Sequence, residues 1–233
     1  MNIEHLKGRT IALEGIDASG KNSVSKYLYD FLGHQGLNVK VFEYINDVPL
    51  AKPIRDLMFK SGIQISEKNR EFLYSVIASQ TIDLANQYRF DHPDSFIIFD
   101  RSVVSMMAFQ ALSNDNVKAL ETISLLYSVL CDYSIDQDSE SIGTSIDDIF
   151  YLKITAETSL SRCPKGCDYE PGIAKLNKVI KAYEDIFNYN QVLSKCSGSL
   201  YQLLDHAWLW EINGELPVED VARDILKHLD RSI

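Results

Sequence analysis

Residues 10–23 read TIALEGIDASGKNS, and the rest of the chain is organised around them. The stretch opens as an apolar run, Thr10, Ile11, Ala12 and Leu13, a pattern that predicts a short buried strand. It then turns through residues 15–21 and enters a segment with helical spacing. The turn has the form GxxxxGK, with Gly15, Gly20 and Lys21 in the defining positions. Gly15 and Gly20 permit backbone conformations that a side chain forbids. With Ala18, Ser19 and Gly20 in the turn, successive backbone N–H groups point inward at a helix N-terminus and cradle phosphate oxygens. Lys21 adds a positive charge for the outer phosphates, and the following residue is ordinarily a Ser or Thr whose hydroxyl reaches Mg²⁺. Here that position is Asn22, with Ser23 one step later. The alternative is a purely structural strand-to-helix turn. The length of the turn, its Gly-Lys ending and its setting between a buried strand and a helix favour phosphate binding.

Working outward, Val24, Tyr27, Leu28, Phe31 and Leu32 recur at helical spacing and predict a first helix over about 21–34, closed by Gly33 and Gly36. A short strand follows at 39–42, a loop at 46–49, a helix start at 53–58 and a long helix from 66 to about 88. After a polar break at 89–95, the apolar run 96–99 ends at Asp100, as a central parallel strand does. Helices are predicted at 101–112 and 116–130, with an acidic, serine-rich loop at 134–147. A strand at 149–154 leads to a short helix at 156–162 and an irregular segment at 163–172. A helix from 173 to about 193, a strand at 208–212 and a closing helix at 218–229 complete the chain. Strands alternating with helices predict an α/β fold of three layers, a central parallel sheet of about five strands flanked by helices. No internal repeat and no Pro/Gly-rich linker divides the 233 residues, so a single domain over 1–233 is expected.

Bulk properties narrow the function. A hydrophobic content of 45% and a charged content of 24% are those of an ordinary globular protein. A net charge of −10 argues against a nucleic-acid surface, while backbone amides and a few local cations suffice for a nucleotide. No apolar run approaches membrane-spanning length. The opening MNIEHLKGRT has neither an apolar core nor a cleavage-like site, and the four cysteines carry no secretory pattern, so a cytoplasmic location with reduced thiols is expected.

Two further stations have the look of chemistry. In FDRSVVSMMAFQ, residues 99–110, Asp100 stands at the carboxyl end of a strand, where ligands sit in open α/β sheets and where an acid can hold Mg²⁺ or its waters. Arg101, Ser105 and Phe109 follow at i, i+4 and i+8 and share one helix face, suited to a phosphate, a sugar and a base edge. The competing reading, a surface Arg and a core Phe, loses weight beside the phosphate loop. In RCPKGCDY, residues 162–169, Arg162 and Lys165 would suit a cationic lid of about 162–173 over a phosphate-transfer site, against a solvated loop. The Cys163 and Cys167 pair has no second pair of matching spacing, so structural zinc is not expected.

These motifs together resemble the thymidylate kinase family of P-loop nucleoside monophosphate kinases. The match runs through LEGIDASGKNS and FDRSVVSMMAFQ, carried by Asp17, Asp100, Arg101, Ser105, Ala108 and Phe109, and YLKITAETSLSRC is similar to the strand and helix that lead to the family's lid. The resemblance implies transfer of the γ-phosphoryl group of ATP, with Mg²⁺, to a deoxynucleoside monophosphate, dTMP first among them. It implies that Asp17 binds the acceptor's 3′-hydroxyl, that Arg101 binds its 5′-phosphate, and that Phe109 packs where a 2′-hydroxyl would clash. Lys21, Arg101, Asp17 and Arg162 are then the catalytic candidates, Asp100 and Asn22 the metal candidates. Tyr74, Arg101, Ser105 and Phe109 join Asp17 as acceptor candidates, and a homodimer is left open.

The sequence also departs from the family's pattern. Residues 42–46, FEYIN, lack the arginine the family uses on the acceptor phosphate, and Arg55 is the nearest. Tyr74 takes an aromatic position on the long helix, but Ala78 stands where the family reads thymine with an arginine, and Ser102 replaces a tyrosine. Two rivals therefore stay open: a deoxynucleoside kinase, whose acceptor is uncharged, and a nucleotide-binding protein without catalysis. GTPase signalling is disfavoured, because residues 176–179, LNKV, lack the aspartate of a guanine reader.

Overall fold

The computed structural model describes residues 3–46, 48–110, 146–163, 172–187 and 207–231. The helix expected at 116–130, nearly all of the acidic loop at 134–147, and Lys165 and Cys167 of the expected lid lie outside the described residues. Five strands form one parallel sheet: β1 (Thr10–Glu14), β2 (Val39–Glu43), β3 (Phe96–Asp100), β4 (Asp148–Lys153) and β5 (Trp208–Asn213), in the order β2-β3-β1-β4-β5. The helices are α1 (Lys21–His34), α2 (Ala51–Phe59), α3 (Glu67–Asp91), α4 (Val103–Gln110), α5 (Ala156–Arg162), α6 (Ile173–Phe187) and α7 (Val218–Arg231). The three-layer α/β architecture expected from the alternation of patterns is the one observed.

Helices cover both faces of the sheet, so the side chains that alternate along β1, β3 and β4 are buried on either side. Ala12, Ile97, Phe99, Ile149 and Tyr151 face the layer that holds α4 and α6, packing with Val104, Met107, Leu176, Val179 and Tyr183. Ile11, Leu13, Ile98, Phe150 and Leu152 face the other layer, against Val24, Leu28 and Leu32 of α1 and Val221, Ala222 and Ile225 of α7. β1 and β3 are neighbours, and the connections from their carboxyl ends run to opposite faces, into α1 on one side and α4 on the other. This is the switch point where a crevice opens beyond the carboxyl ends of the strands.

Two boundaries differ from expectation for identifiable reasons. The long helix runs to Asp91, beyond the expected end near 88, because Arg89 is drawn into the core. Its guanidinium donates to the carbonyls of Pro93, Ser95 and Arg9 and to Thr10 Oγ1. The helix expected from 101 begins at Val103 instead, since Arg101 takes a left-handed backbone, φ 74°. Single-sequence periodicity cannot register a conformation imposed by a partner far away in the chain.

Candidate active site

β1 delivers the chain into the crevice and the glycine turn reverses it into α1. Gly15 adopts φ 144°, and a Cβ there would lie 2.7 Å from Ser19 Oγ and 2.8 Å from the Leu152 carbonyl, so the close turn requires glycine. Gly20, at φ 99°, precedes α1 without any side-chain cap on the helix. The N–H groups at Lys21, Asn22 and Ser23 therefore have no intrahelical acceptor and no capping side chain, which leaves them to an anion. The turn is braced from outside by Ser159 of α5, whose hydroxyl donates to the Asp17 carbonyl at 2.8 Å, and from within by Ser19 N–H, which donates to Ile16 O at 3.3 Å.

Lys21 is only 5% exposed. Its Nζ donates to Gly15 O at 3.2 Å, Ile16 O at 2.9 Å and Ser19 Oγ at 3.3 Å. Burial lowers its pKa to about 7, with the Arg101 charge acting in the same direction against Asp100, Asp17 and Glu14.

Arg101 comes from the end of β3 and reaches the same loop. Its Nη1 donates to Gly15 O at 3.0 Å and to Ser105 Oγ at 3.2 Å, and its Nη2 pairs with the Asp17 carboxylate. The guanidinium carbon lies 5.3 Å from the centroid of the Phe109 ring. Arg101, Ser105 and Phe109 thus meet, with Asp17 brought against them, but not as one helix face: Arg101 stands before α4 and reaches it from a left-handed backbone. Burial opposes the Arg101 charge, but the oxygens of Tyr183, Asp17, Glu14 and Asp100 outweigh it and raise its pKa. Asp100, 7% exposed, has its carboxyl pushed upward by burial, while Lys21 and Arg101 pull it down. Among the described residues no hydrogen bond is donated to its carboxylate.

That arrangement fits Mg²⁺ held chiefly by nucleotide phosphates: one hard carboxylate with free lone pairs at the strand end, and the exposed amide of Asn22 at the helix start. Among the described residues, no cluster of three or more His, Cys, Asp or Glu could hold an ion alone.

Other candidates sit elsewhere. Tyr74 packs against the small cluster of Val48, Ala51 and Ile77 between α2 and α3. Ala78, standing where the family's arginine would be, is buried in the main core. Arg55 donates to Asn46, which donates to Glu43 at 2.9 Å. Arg162 donates to Gly214 O at 2.9 Å and Glu215 O at 3.4 Å, in the turn between β5 and α7, so its charge rests beside that turn. Ser105, by contrast, stays beside Arg101 but is buried, its hydroxyl shared among Arg101, Glu14 and Tyr183.

Glu14 and Tyr183 were not found by sequence reasoning. Glu14 is completely buried and accepts from Ser102 N, Ser102 Oγ, Ser105 N, Ser105 Oγ and Tyr183 OH. A charged residue closing an apolar strand was the available signal. Tyr183 gave none, since it continues the apolar stripe of Leu176, Val179 and Ile186.

The family described as thymidylate kinase matches residues 13–225. The chain is similar to the thymidylate kinase of Thermoanaerobacter sp. (strain X514), 25% identical over 161 residues that span 67% of this chain and 71% of that protein. It is 22% identical over 200 residues to the probable thymidylate kinase of Sulfurisphaera tokodaii, spanning 84% and 92% respectively. The thymidylate kinase of Ureaplasma parvum serovar 3 is 24% identical over 198 residues, 79% of each chain.

Proposed function

The chain belongs to the thymidylate kinase family of nucleoside monophosphate kinases, enzymes that use ATP with Mg²⁺, and we propose that it transfers the γ-phosphoryl group of ATP to a deoxynucleoside monophosphate, dTMP giving dTDP. The observation that carries this reading is the meeting of Lys21 and Arg101 on the Gly15 carbonyl, at 3.2 and 3.0 Å. A donor-side cation and an acceptor-side cation a few ångströms apart suit two phosphates brought end to end. Phosphoryl transfer asks the protein for alignment and charge neutralisation more than for covalent chemistry.

In this reading the amides at Ala18, Ser19, Gly20, Lys21, Asn22 and Ser23 hold the donor phosphates, and Lys21 leaves its loop carbonyls for the outer ones. Arg101 holds the acceptor phosphate while Asp17, paired with it, accepts from the sugar hydroxyl. Phe109 packs beside the sugar carbon that lacks a hydroxyl in deoxyribose. Asp100 and Asn22 would hold Mg²⁺, and the ion would neutralise charge on the donor phosphates. Arg162 is a candidate for the transferring group once it leaves the turn at Gly214.

We infer further that the chain acts as one domain, in the cytoplasm, on nucleotides. Among the described residues no helix is long and apolar enough to cross a membrane. A homodimer is for sedimentation to test. A second reading, a deoxynucleoside kinase, draws support from Arg55, whose guanidinium is engaged by Asn46. Turnover of dTMP, dUMP, other monophosphates and thymidine with ATP separates the two. Turnover of thymidine exceeding that of every monophosphate would overturn the proposal.

A further inference from the structure

Arg101 stands in a backbone conformation that costs a residue with a Cβ about 1 kcal/mol or more, so its surroundings must hold it there. Its own N–H donates to Leu13 O at 3.0 Å. On the other side, Ser102 N–H donates to Glu14 Oε1 at 2.7 Å, and Ser105 N–H reaches the same oxygen at 3.3 Å. Glu14 thus grips the start of α4 just after the strained residue. Its second oxygen receives the Ser105 and Tyr183 hydroxyls, at 2.5 and 2.9 Å.

We propose that Glu14 is a positioning residue for Arg101, acting through the Ser105 hydroxyl and steadied by Tyr183. The inference rests on the reading of Arg101 as the acceptor-phosphate ligand. A serine hydroxyl carries one proton, and here the carboxylate takes it. The oxygen must then show Arg101 a lone pair, and Nη1 donates to it at 3.2 Å. Tyr183 cannot swing away: its ring stacks on Tyr151, with centroids 4.8 Å apart. Burial and the Glu14 charge raise its pKa well above the ordinary phenol value, so it remains a donor. Glu14 therefore sets both the backbone from which Arg101 projects and the direction of one of its hydrogen bonds.

Glu14→Gln tests this with almost no change of volume. Two backbone N–H groups and the Ser102 hydroxyl oblige the amide oxygen to take the Oε1 place, so the NH₂ faces Ser105 and Tyr183. Ser105 must then accept from the amide, and its proton, no longer held by a carboxylate, turns to the Tyr183 hydroxyl or toward Arg101, so Nη1 meets a less polarised and less fixed acceptor. The expected result is an acceptor KM raised about tenfold, the value of one charge-assisted hydrogen bond, with the ATP KM within about twofold of the parent. Ser105→Ala should do the same. The double variant should add little to either single change, because both act through one hydroxyl.

An unchanged acceptor KM in folded Glu14→Gln would overturn the inference. So would equal rises for both substrates, or effects that multiply in the double variant. Should Glu14→Gln not fold, Ser105→Ala decides alone, and an unchanged acceptor KM there is equally fatal. Trp210→Phe, which removes the 2.9 Å bond to Asp148 at the far end of the sheet, marks what general destabilisation does. Arg101→Ala separates the two readings. If it leaves the acceptor KM unchanged, the role given to Arg101 fails; if it raises the KM while Glu14→Gln does not, only the positioning role fails.

Discussion

Binding of ATP should draw a proton onto Lys21. In the free protein, burial holds the ammonium at a pKa of about 7, with Arg101 adding to the effect and Asp100, Asp17 and Glu14 opposing it. At pH 8 the side chain is then about nine-tenths neutral. Triphosphate oxygens beside Nζ favour the charged form, so binding at that pH takes up close to one proton. Above pH 8 the affinity should fall by about tenfold per unit of pH, since each molecule bound must first acquire that proton. Titration calorimetry of ATP without acceptor, at pH 8 in two buffers of different ionisation enthalpy, reads the uptake directly. Lys21→Arg, always charged, should abolish it. The same shift bears on stability. The unfolded lysine, near 10.5, binds more protons than the folded one between about pH 7 and 10.5, so the Lys21 contribution to stability rises with pH across that window. Below pH 7 its full penalty applies, at most about 5 kcal/mol. No buffer-dependent heat at pH 8, or equal uptake in Lys21→Arg, would refute the reasoning.

Three other outcomes follow from named side chains. Asn22→Thr should lower the Mg²⁺ concentration for half-maximal rate without altering nucleotide preference, because a short hydroxyl suits octahedral geometry better than a planar amide; a metal titration of the rate that shows no fall contradicts this. Phe109 offers no partner to a 2′-hydroxyl, a mismatch worth roughly 1–3 kcal/mol, so kcat/KM should favour dTMP over its ribose analogue by about tenfold or more. Arg89→Ala should cost about 3 kcal/mol by urea unfolding while leaving both KM values in place, since it removes the bonds that tie the end of α3 to Arg9, Thr10 and Ser95 and leaves the Ser95 carbonyl without that donor.

Much of the architecture was legible along the chain because strands buried on both faces write continuous apolar runs. Residues 10–13 and 96–99 are such runs, and a Gly-Lys turn between strand and helix is a local pattern with a local cause. The phosphate loop, the strand-end position of Asp100 and the i, i+4 placing of Ser105 and Phe109 on α4 depend on local spacing, which sequence preserves; Arg101 joins them from outside that helix. Ser66 likewise announces the start of α3, and its side chain accepts from Asn69 N–H as an N-cap.

What the sequence could not decide depends on distant partners. It marks Ser105 as a polar residue on a functional face, but only packing shows its hydroxyl claimed by Glu14, 91 positions earlier, and touched by Tyr183, 78 positions later. It marks Arg162 as a cation at a helix end, while the tertiary structure sets that cation on the carbonyls of Gly214 and Glu215. The chain by itself determined the sheet, the loop and the charges available to bind phosphate. Which charges face one another, which carboxylate lies in the core and what backbone Arg101 must adopt were decided only when β1, β3 and α6 were packed together. Hydrogen bonds across the fold select orientations that no residue's immediate neighbours encode.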